Sequence, residues 1–522
     1  MLAADISVGG DPIVHPADFR ITTFASGLNY PHGLQALPDG SMLVAVNNPN
    51  NGGANIFDST GALLRFVDAN GDGVADGAGK VLFDGLPGPV TAVKQVGHFI
   101  AVTSSPAGGE KISFLRVGST PAAPLKLVGS INFNFGDPSW EHTTFALATR
   151  PTPGQPGNYD LFFNIGSQLN GVVIGSNGQV TLDANGNPIP QPTLGTVQAT
   201  GLLSATLNGD AIHMVTVRDV RGTPRLVNLR QVASGLRNAA SMSVDPKTGD
   251  LWLADNGIDG NEGSNAAWST DELDKVPAAE IGKVVQNFGF PYSYVKTVDH
   301  PGDPVTVVNP TFGVQPVIAF QPIPDAAGTP AGSQSEGASG FALSPSGFPV
   351  GLNQGVFIGF HGKFNQGGTD NEENPLVFAN PITGHYFDFI SNDLTNIGHL
   401  DELFSTSDSL FVADLSSSGD LFSPTGVGDG KIYQIKAIPQ PSIVARAAAI
   451  APVSSAKKTP VAPKLNTSGI ILPVVPGTVP PAKSQPVAVR IAPVPPKVVR
   501  SNVSTQVKDR LPRQGTTDTD LP

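Results

Sequence analysis

The chain has 522 residues with 14% charged residues, 60 Gly, 48 Pro and no Cys. That composition favours short strands and tight turns over long helices, and it excludes disulfides, thiolate metal sites and Cys nucleophiles. Up to residue 435 there are 19 Lys/Arg against 40 Asp/Glu, and from 436 onward 12 against 3, so the acidic body argues against nucleic acid as a partner.

No apolar run reaches the ~18 residues of a membrane span. Residues 1–10 (MLAADISVGG) offer neither a basic leader nor an apolar segment long enough for a secretory signal. Residues 1–19 read as an N-terminal extension, and the body is expected over 20–436.

Along the body one pattern recurs: a small residue, a few apolar positions, a turn, then an apolar strand ending in a small or polar residue. Its six copies begin at Gly27, Gly85, His142, Gly235, Gly337 and Gly398, spaced 58, 57, 93, 102 and 61 residues apart. Each copy reads as strand, turn, strand. The spacing fits one four-stranded blade per copy, with insertions in the third and fourth, so the expected fold is all-β, a six-bladed β-propeller. A β-sandwich is the alternative, made less suitable by six copies in the same internal order. In a propeller, loops at one mouth bring together residues distant in sequence, and the site is expected there.

Between the first two copies lies VDANGDGVADG, with Asp68, Asn70, Asp72 and Asp76 at loop positions 1, 3, 5 and 9 and Gly73 at position 6. Alternating oxygen side chains on a tight loop are what Ca²⁺ requires. Position 12 is Gly79, so the bidentate Glu of an EF-hand is lacking. A propeller-loop calcium site is expected, with a solvated acidic turn as the plainer alternative.

The fourth copy carries the most specific signal. GLRNAASMSVDPKTGDLWLADNGIDG (235–260) is followed by DEL at Asp271 and by NFGFPYSY from Asn287. The fifth copy ends in FIGFHGKFNQ (357–366), and the body closes on GDGKIYQI. In order and spacing these segments resemble the soluble quinoprotein glucose/sorbosone dehydrogenases, with their GLRNP turn, D-N-G loop, D-E-L-N, Y-G-W-P-Y, H-G-S-W-N-R and final G-R-I-Y-R-I strand.

The resemblance spans about residues 20–436, and it implies oxidation of a sugar or polyol hydroxyl with pyrroloquinoline quinone (PQQ) and Ca²⁺, passing electrons on to an acceptor. His142 matches the position of the family's base. Arg237 and Asn238 match its R-N pair, which meets the quinone. Gly257 and Ile258 match a loop whose carbonyls bind Ca²⁺. In the fifth motif the family's Ser-Trp is Lys363-Phe364 and its closing Arg is Gln366. Lys363 and Arg237 are then the cations left to meet a trianionic cofactor, with Asn365 beside them. The resemblance also implies an extracellular or periplasmic location.

From Ala437 the sequence turns rich in Pro, Val, Ala and Ser, with 15 Pro in 86 residues. Pro at that density favours an extended, disordered tail. Its basic charge suits contact with an acidic surface, and a surface spacer and an inert extension are equally good readings of it. Two other functions fit the body: a catalytically silent propeller binding a ligand or surface polymer, and a propeller-type lactone hydrolase. The hydrolase lacks an obvious central Glu/Asn/Asp ligand set.

Overall fold

The propeller forms because the second strand of each copy is mainly apolar and is covered on both faces over most of its length. Phe99–Ser104, Val356–Phe360 and Ser409–Asp414 are buried at every position. A strand buried on both faces reads as a continuous apolar run.

The computed structural model describes residues 6–106, 109–175, 179–192, 195–260, 268–324, 337–363, 366–367, 375–391 and 394–438. Asn365 and the Pro-rich tail from 439 lie outside them. Six antiparallel sheets follow one another as blades. Their inner strands are Leu34–Ala36, Val90–Val96, Leu147–Pro151, Ser241–Val244, Ala338–Leu343 and Glu402–Ser405, in the positions the six repeats require. Each inner strand touches the next, and the sixth touches the first, so the ring is closed. Among the described residues no helix is long and apolar enough to cross a membrane.

Closure comes from the N-terminus. Phe19–Leu28 pairs with Gly430–Ala437 as the outer strand of the sixth blade, with Phe19 opposite Ala437. The phenyl ring of Phe19 packs edge-on against Phe348 and Phe389, with centroids 5.2 and 5.7 Å away. Residues 6–18 are more than an extension: Ile6, Val8 and Val14 are buried with Phe387 and Phe389 in the core of the last two blades.

The two long insertions are used differently. The third copy sends out Thr196–Gly201 and Ala205–Asn208, which return to extend the second blade through Lys126–Asn134. The fourth copy contributes Gln286–Asn287, which adds in parallel to the third blade's Thr223–Ser234. Adjacent blades are thus tied by shared strands as well as by packing.

At the mouth where the chain enters each inner strand, a polar residue at or near the end of a second strand holds the incoming segment at four places, once across to the next blade and three times within a blade. Asn47 Oδ1 accepts from Val90 N at 2.7 Å, and Asn164 Oδ1 accepts from Ala146 N at 2.6 Å. Asp255 accepts from Arg237 N at 3.0 Å and Asn238 N at 2.7 Å. Asp414 accepts from Gly398 N at 3.2 Å and His399 N at 2.9 Å. A buried N–H deprived of its acceptor costs about 1–3 kcal/mol. Replacing Asp414 by Ala should therefore lower stability by about 2–4 kcal/mol, while Asp414→Asn, which keeps one acceptor oxygen, should cost less. Urea unfolding of the two variants checks this, and equal midpoints would show that the clamp carries no weight.

Candidate functional site

The clamp in the fourth blade sets the candidate site. Asp255 fixes the backbone of Arg237 and Asn238 just before their inner strand. The segment Asn256–Asp259 leaves the same second strand beside them. Gly257 donates its N–H to Asp271 Oδ1 at 2.8 Å, and Asp271 Oδ2 accepts from Ala338 N of the fifth blade at 2.9 Å. A Cβ at Gly257 would lie 2.1 Å from the Ser269 carbonyl oxygen, so the D-N-G turn needs its glycine for close backbone approach.

Arg237 is 4% exposed. Its Nε donates to Asn170 Oδ1 at 3.1 Å, and its Nη2 pairs with the Asp259 carboxylate. Asn238 Nδ2 donates to Asn256 Oδ1 at 2.9 Å, whereas Asn238 Oδ1 is buried and accepts no hydrogen bond among the described residues. The Ile258 carbonyl accepts from Trp268 N at 2.8 Å.

His142 enters from the third blade. Its Nδ1 lies 3.0 Å from the Ser167 carbonyl oxygen and 2.9 Å from Ser167 Oγ, and that hydroxyl donates onward to the Leu169 carbonyl at 2.7 Å. The carbonyl can only accept, so Nδ1 carries the proton and Nε2 presents its lone pair. Gly166 lets the ring lie close to the fourth blade: a Cβ there would be 2.5 Å from His142 Cβ and 3.2 Å from Asn238 Oδ1. Burial and then the charge of Arg237 push the His142 pKa down to about 3. The imidazole is neutral at physiological pH.

The surroundings are acidic. Burial, against two backbone hydrogen bonds, raises the Asp255 pKa to about 7. Burial and then the neighbouring Asp255 raise Glu272 to about 8. A small cavity beside Arg237 is lined by Asp255, Glu272, Phe288, Phe290 and Tyr294, and His142 is not among its walls.

Of the residues expected from the sequence, the structure brings His142, Arg237, Asn238, Gly257 and Ile258 to one side of one mouth. Lys363 is at the same mouth, in the segment leaving the second strand of the fifth blade, and Asn365 lies outside the described residues. Ser167, Asn170 and Asp259 were missed. Asp259 stood in the D-N-G-I-D-G run, whereas Ser167 and Asn170 follow the second strand of the third blade with no signal of their own. A second cluster adjoins the fifth and sixth blades: His361 Nδ1 lies 2.6 Å from Asp401 Oδ2, and the His361 ring stacks on His399 with centroids 4.2 Å apart.

The loop expected to hold calcium is separate from this mouth cluster and closes on its own backbone. Asp68 accepts from the amides of Gly71, Asp72 and Gly73, Asp72 from Val74, and Asp76 from Ala69. Arg20 and Thr22 tie the loop to the closing strand through the carbonyls of Gly71 and Gly73. Among the described residues no group of three His, Cys, Asp or Glu side chains is arranged to hold a metal ion.

No family model matches the chain, and no curated protein is similar to it at a significant level. Solved structures are similar in chain path. The PQQ-bound aldose sugar dehydrogenase of Streptomyces coelicolor is 15% identical, with 81% of this chain and 99% of that one covered and a TM-score of 0.43. The holo PQQ domain of pyranose dehydrogenase from Coprinopsis cinerea is 14% identical, with 83% and 97% covered and a TM-score of 0.47. A carbohydrate-active enzyme of family AA12 from Trichoderma reesei is 15% identical, with 84% and 99% covered and a TM-score of 0.46. The chemistry of the mouth rests on this chain's own residues.

A histidine held neutral in the fold and free to protonate when unfolded stabilises the native state above its unfolded pKa, near 6.5, and that contribution is lost as pH falls toward 3. The melting temperature of the wild type relative to His142→Gln should therefore drop steadily from pH 6.5 to pH 4. A difference independent of pH would show that His142 is not held neutral.

Proposed function

We propose that the protein is a quinoprotein-type oxidoreductase acting on a sugar or polyol hydroxyl, with His142 as the base and the Arg237–Asn238 turn as the anchor for the quinone. The observation that carries this reading is the fixed tautomer of His142. Its Nδ1 proton is taken up by Ser167, which leaves Nε2 as the proton acceptor of the ring.

The residues present fit PQQ in two respects. Asn238 Oδ1 is a buried acceptor without a donor among the described residues, a place for an N–H of a ligand. Arg237, with a side chain 5% exposed, faces a counter-ion that is 71% exposed, and a carboxylate of the ligand can take that position. Arg237 and Asn238 would hold the quinone, and the sequence resemblance adds Lys363 and Asn365 to that set. When bound, the quinone would accept the hydride from the alcohol carbon, while calcium polarises its carbonyl.

The chain's own contribution is to orient the hydroxyl and receive its proton at His142 Nε2. An imidazole with a pKa of about 3 is a weak base. Calcium would be held by the Gly257 carbonyl and by the Asp68–Asp76 loop, whereas the Ile258 carbonyl, expected beside Gly257, already accepts from Trp268 N at 2.8 Å and Ser269 N at 3.3 Å and does not fit a metal ligand. A silent binding propeller is the second reading, favoured by the acidic groups Asp255 and Glu272 beside Arg237.

His142→Ala should reduce turnover of the calcium- and quinone-reconstituted protein by about 10²–10⁴ while leaving quinone affinity unchanged. Arg237→Ala should weaken quinone binding first. Dye-coupled oxidation of aldoses, read beside a binding titration, separates the two, and near-normal turnover in His142→Ala would remove it as the base. Absence of quinone binding by the wild type leaves the silent propeller.

Calcium should raise the melting temperature by mass action on the folded state. Asp72→Ala should lose most of that rise. Identical melting in calcium and in chelator would remove the loop from the proposal.

A further inference from the structure

We infer that Asp259 is a built-in competitor for the place of an anionic ligand on Arg237, and that it sets the affinity of the mouth for carboxylate-bearing ligands. The inference rests on the proposed use of Arg237 as an anchor and adds a residue that the sequence resemblance does not supply.

The two partners of this ion pair differ sharply in environment. The Arg237 side chain is 5% exposed and that of Asp259 is 71% exposed. In the Arg150–Asp160 pair, by contrast, both side chains are sequestered, at 12% and 3% exposure. Asp160 there also accepts from Thr152 at 2.8 Å and Thr216 at 3.1 Å. That pair is part of the framework. Asp259 has no such second anchor for its carboxylate among the described residues, and releasing it to water costs little, because the group is already largely hydrated.

Its backbone, by contrast, is fixed. Asn170 Oδ1 accepts from both Arg237 Nε at 3.1 Å and Asp259 N at 3.0 Å, while Asn170 Nδ2 donates to the Asp259 carbonyl at 3.2 Å. One amide side chain thereby presents the carboxylate to the guanidinium in register. An acceptor tethered this closely acts at high effective concentration. An incoming carboxylate competes with it for the guanidinium charge, whereas a neutral ligand gains much less from Arg237. Asp259 therefore lowers affinity for anions and keeps a buried cation compensated when no ligand is bound.

The test measures PQQ binding to the full chain in calcium, by quenching of intrinsic fluorescence, for wild type, Asp259→Asn, Arg237→Ala and the double variant. Asp259→Asn keeps the shape and an acceptor oxygen but removes the charge. It should bind about tenfold more tightly, roughly 1.4 kcal/mol. The gain should vanish in the Arg237→Ala background, because the two residues act on one another. An Asp259→Asn variant that binds no more tightly than wild type, while Arg237→Ala weakens binding, overturns the competitor and leaves the anchor standing. A gain that persists without Arg237 overturns it as well. If neither wild type nor Asp259→Asn binds the quinone, the competitor and the proposed function both fall.

Discussion

The hydrogen bonds from a strand-ending carboxylate or amide to the backbone of the segment entering the inner strand hold the mouth of this propeller in shape. A blade needs apolar faces to pack, yet the chain must turn sharply at the mouth and leaves amides that no strand pairs. Asn47, Asn164, Asp255 and Asp414 supply acceptors at these points. Asp255 is the most consequential, since it satisfies Arg237 N and Asn238 N together and so points both side chains into the site. Function is layered on this device: Asp271 extends it to Gly257 and to the fifth blade, and Asn170 brings Asp259 against the same Arg237.

The electrostatics of the site follow from the same burial. Taking carboxylates out of water raises their proton affinity, as at Asp255 and Glu272, and taking an imidazole out of water lowers its own, as at His142. A neutral imidazole, a buried guanidinium and carboxyl groups of raised proton affinity can lie close together because burial shifts each toward its uncharged form, save the guanidinium. The net charge near Arg237 is then tuned by Asp259, the one acidic member that remains largely in water.

Much of this was legible in the sequence, for identifiable reasons. The second strands are mainly apolar on both faces, so their runs and the turns before them repeated visibly. His142, Arg237 and Asn238 stand a few residues before the inner strands of the third and fourth blades, and the repeat carried them to one mouth. Contacts made by the insertions were not legible. Nothing in the sequence around Thr196–Gly201 says that it pairs with the second blade, since edge strands take their partner from tertiary context. Asn170 was hidden for the same reason: its role depends on a loop from one blade meeting a loop from the next. Residues 6–18 read as an extension because three buried residues, Ile6, Val8 and Val14, are too few and too spaced to show a period. The Asp68–Asp76 loop had the spacing of a cation site, and the structure adds that five backbone amides of the same loop donate to its carboxylates and hold their positions.

The pairing of Phe19–Leu28 with Gly430–Ala437 has a consequence for how the molecule is made. The two strands that close the ring are the first and the last of the body to be synthesised, so the sixth blade stays incomplete until nearly all of the propeller has emerged. Until then Phe19–Leu28 is an unpaired edge whose buried face lacks its cover, and the sixth inner strand lacks the first as a neighbour. Sequence separation of this order slows the final step relative to the local hairpins of each blade, and it makes the nascent chain most exposed to mispairing with other copies at its N-terminal strand. The same geometry leaves the two ends of the body side by side, so a chain cut between two blades and rejoined at residues 19 and 437 would trade that late closure for an early one.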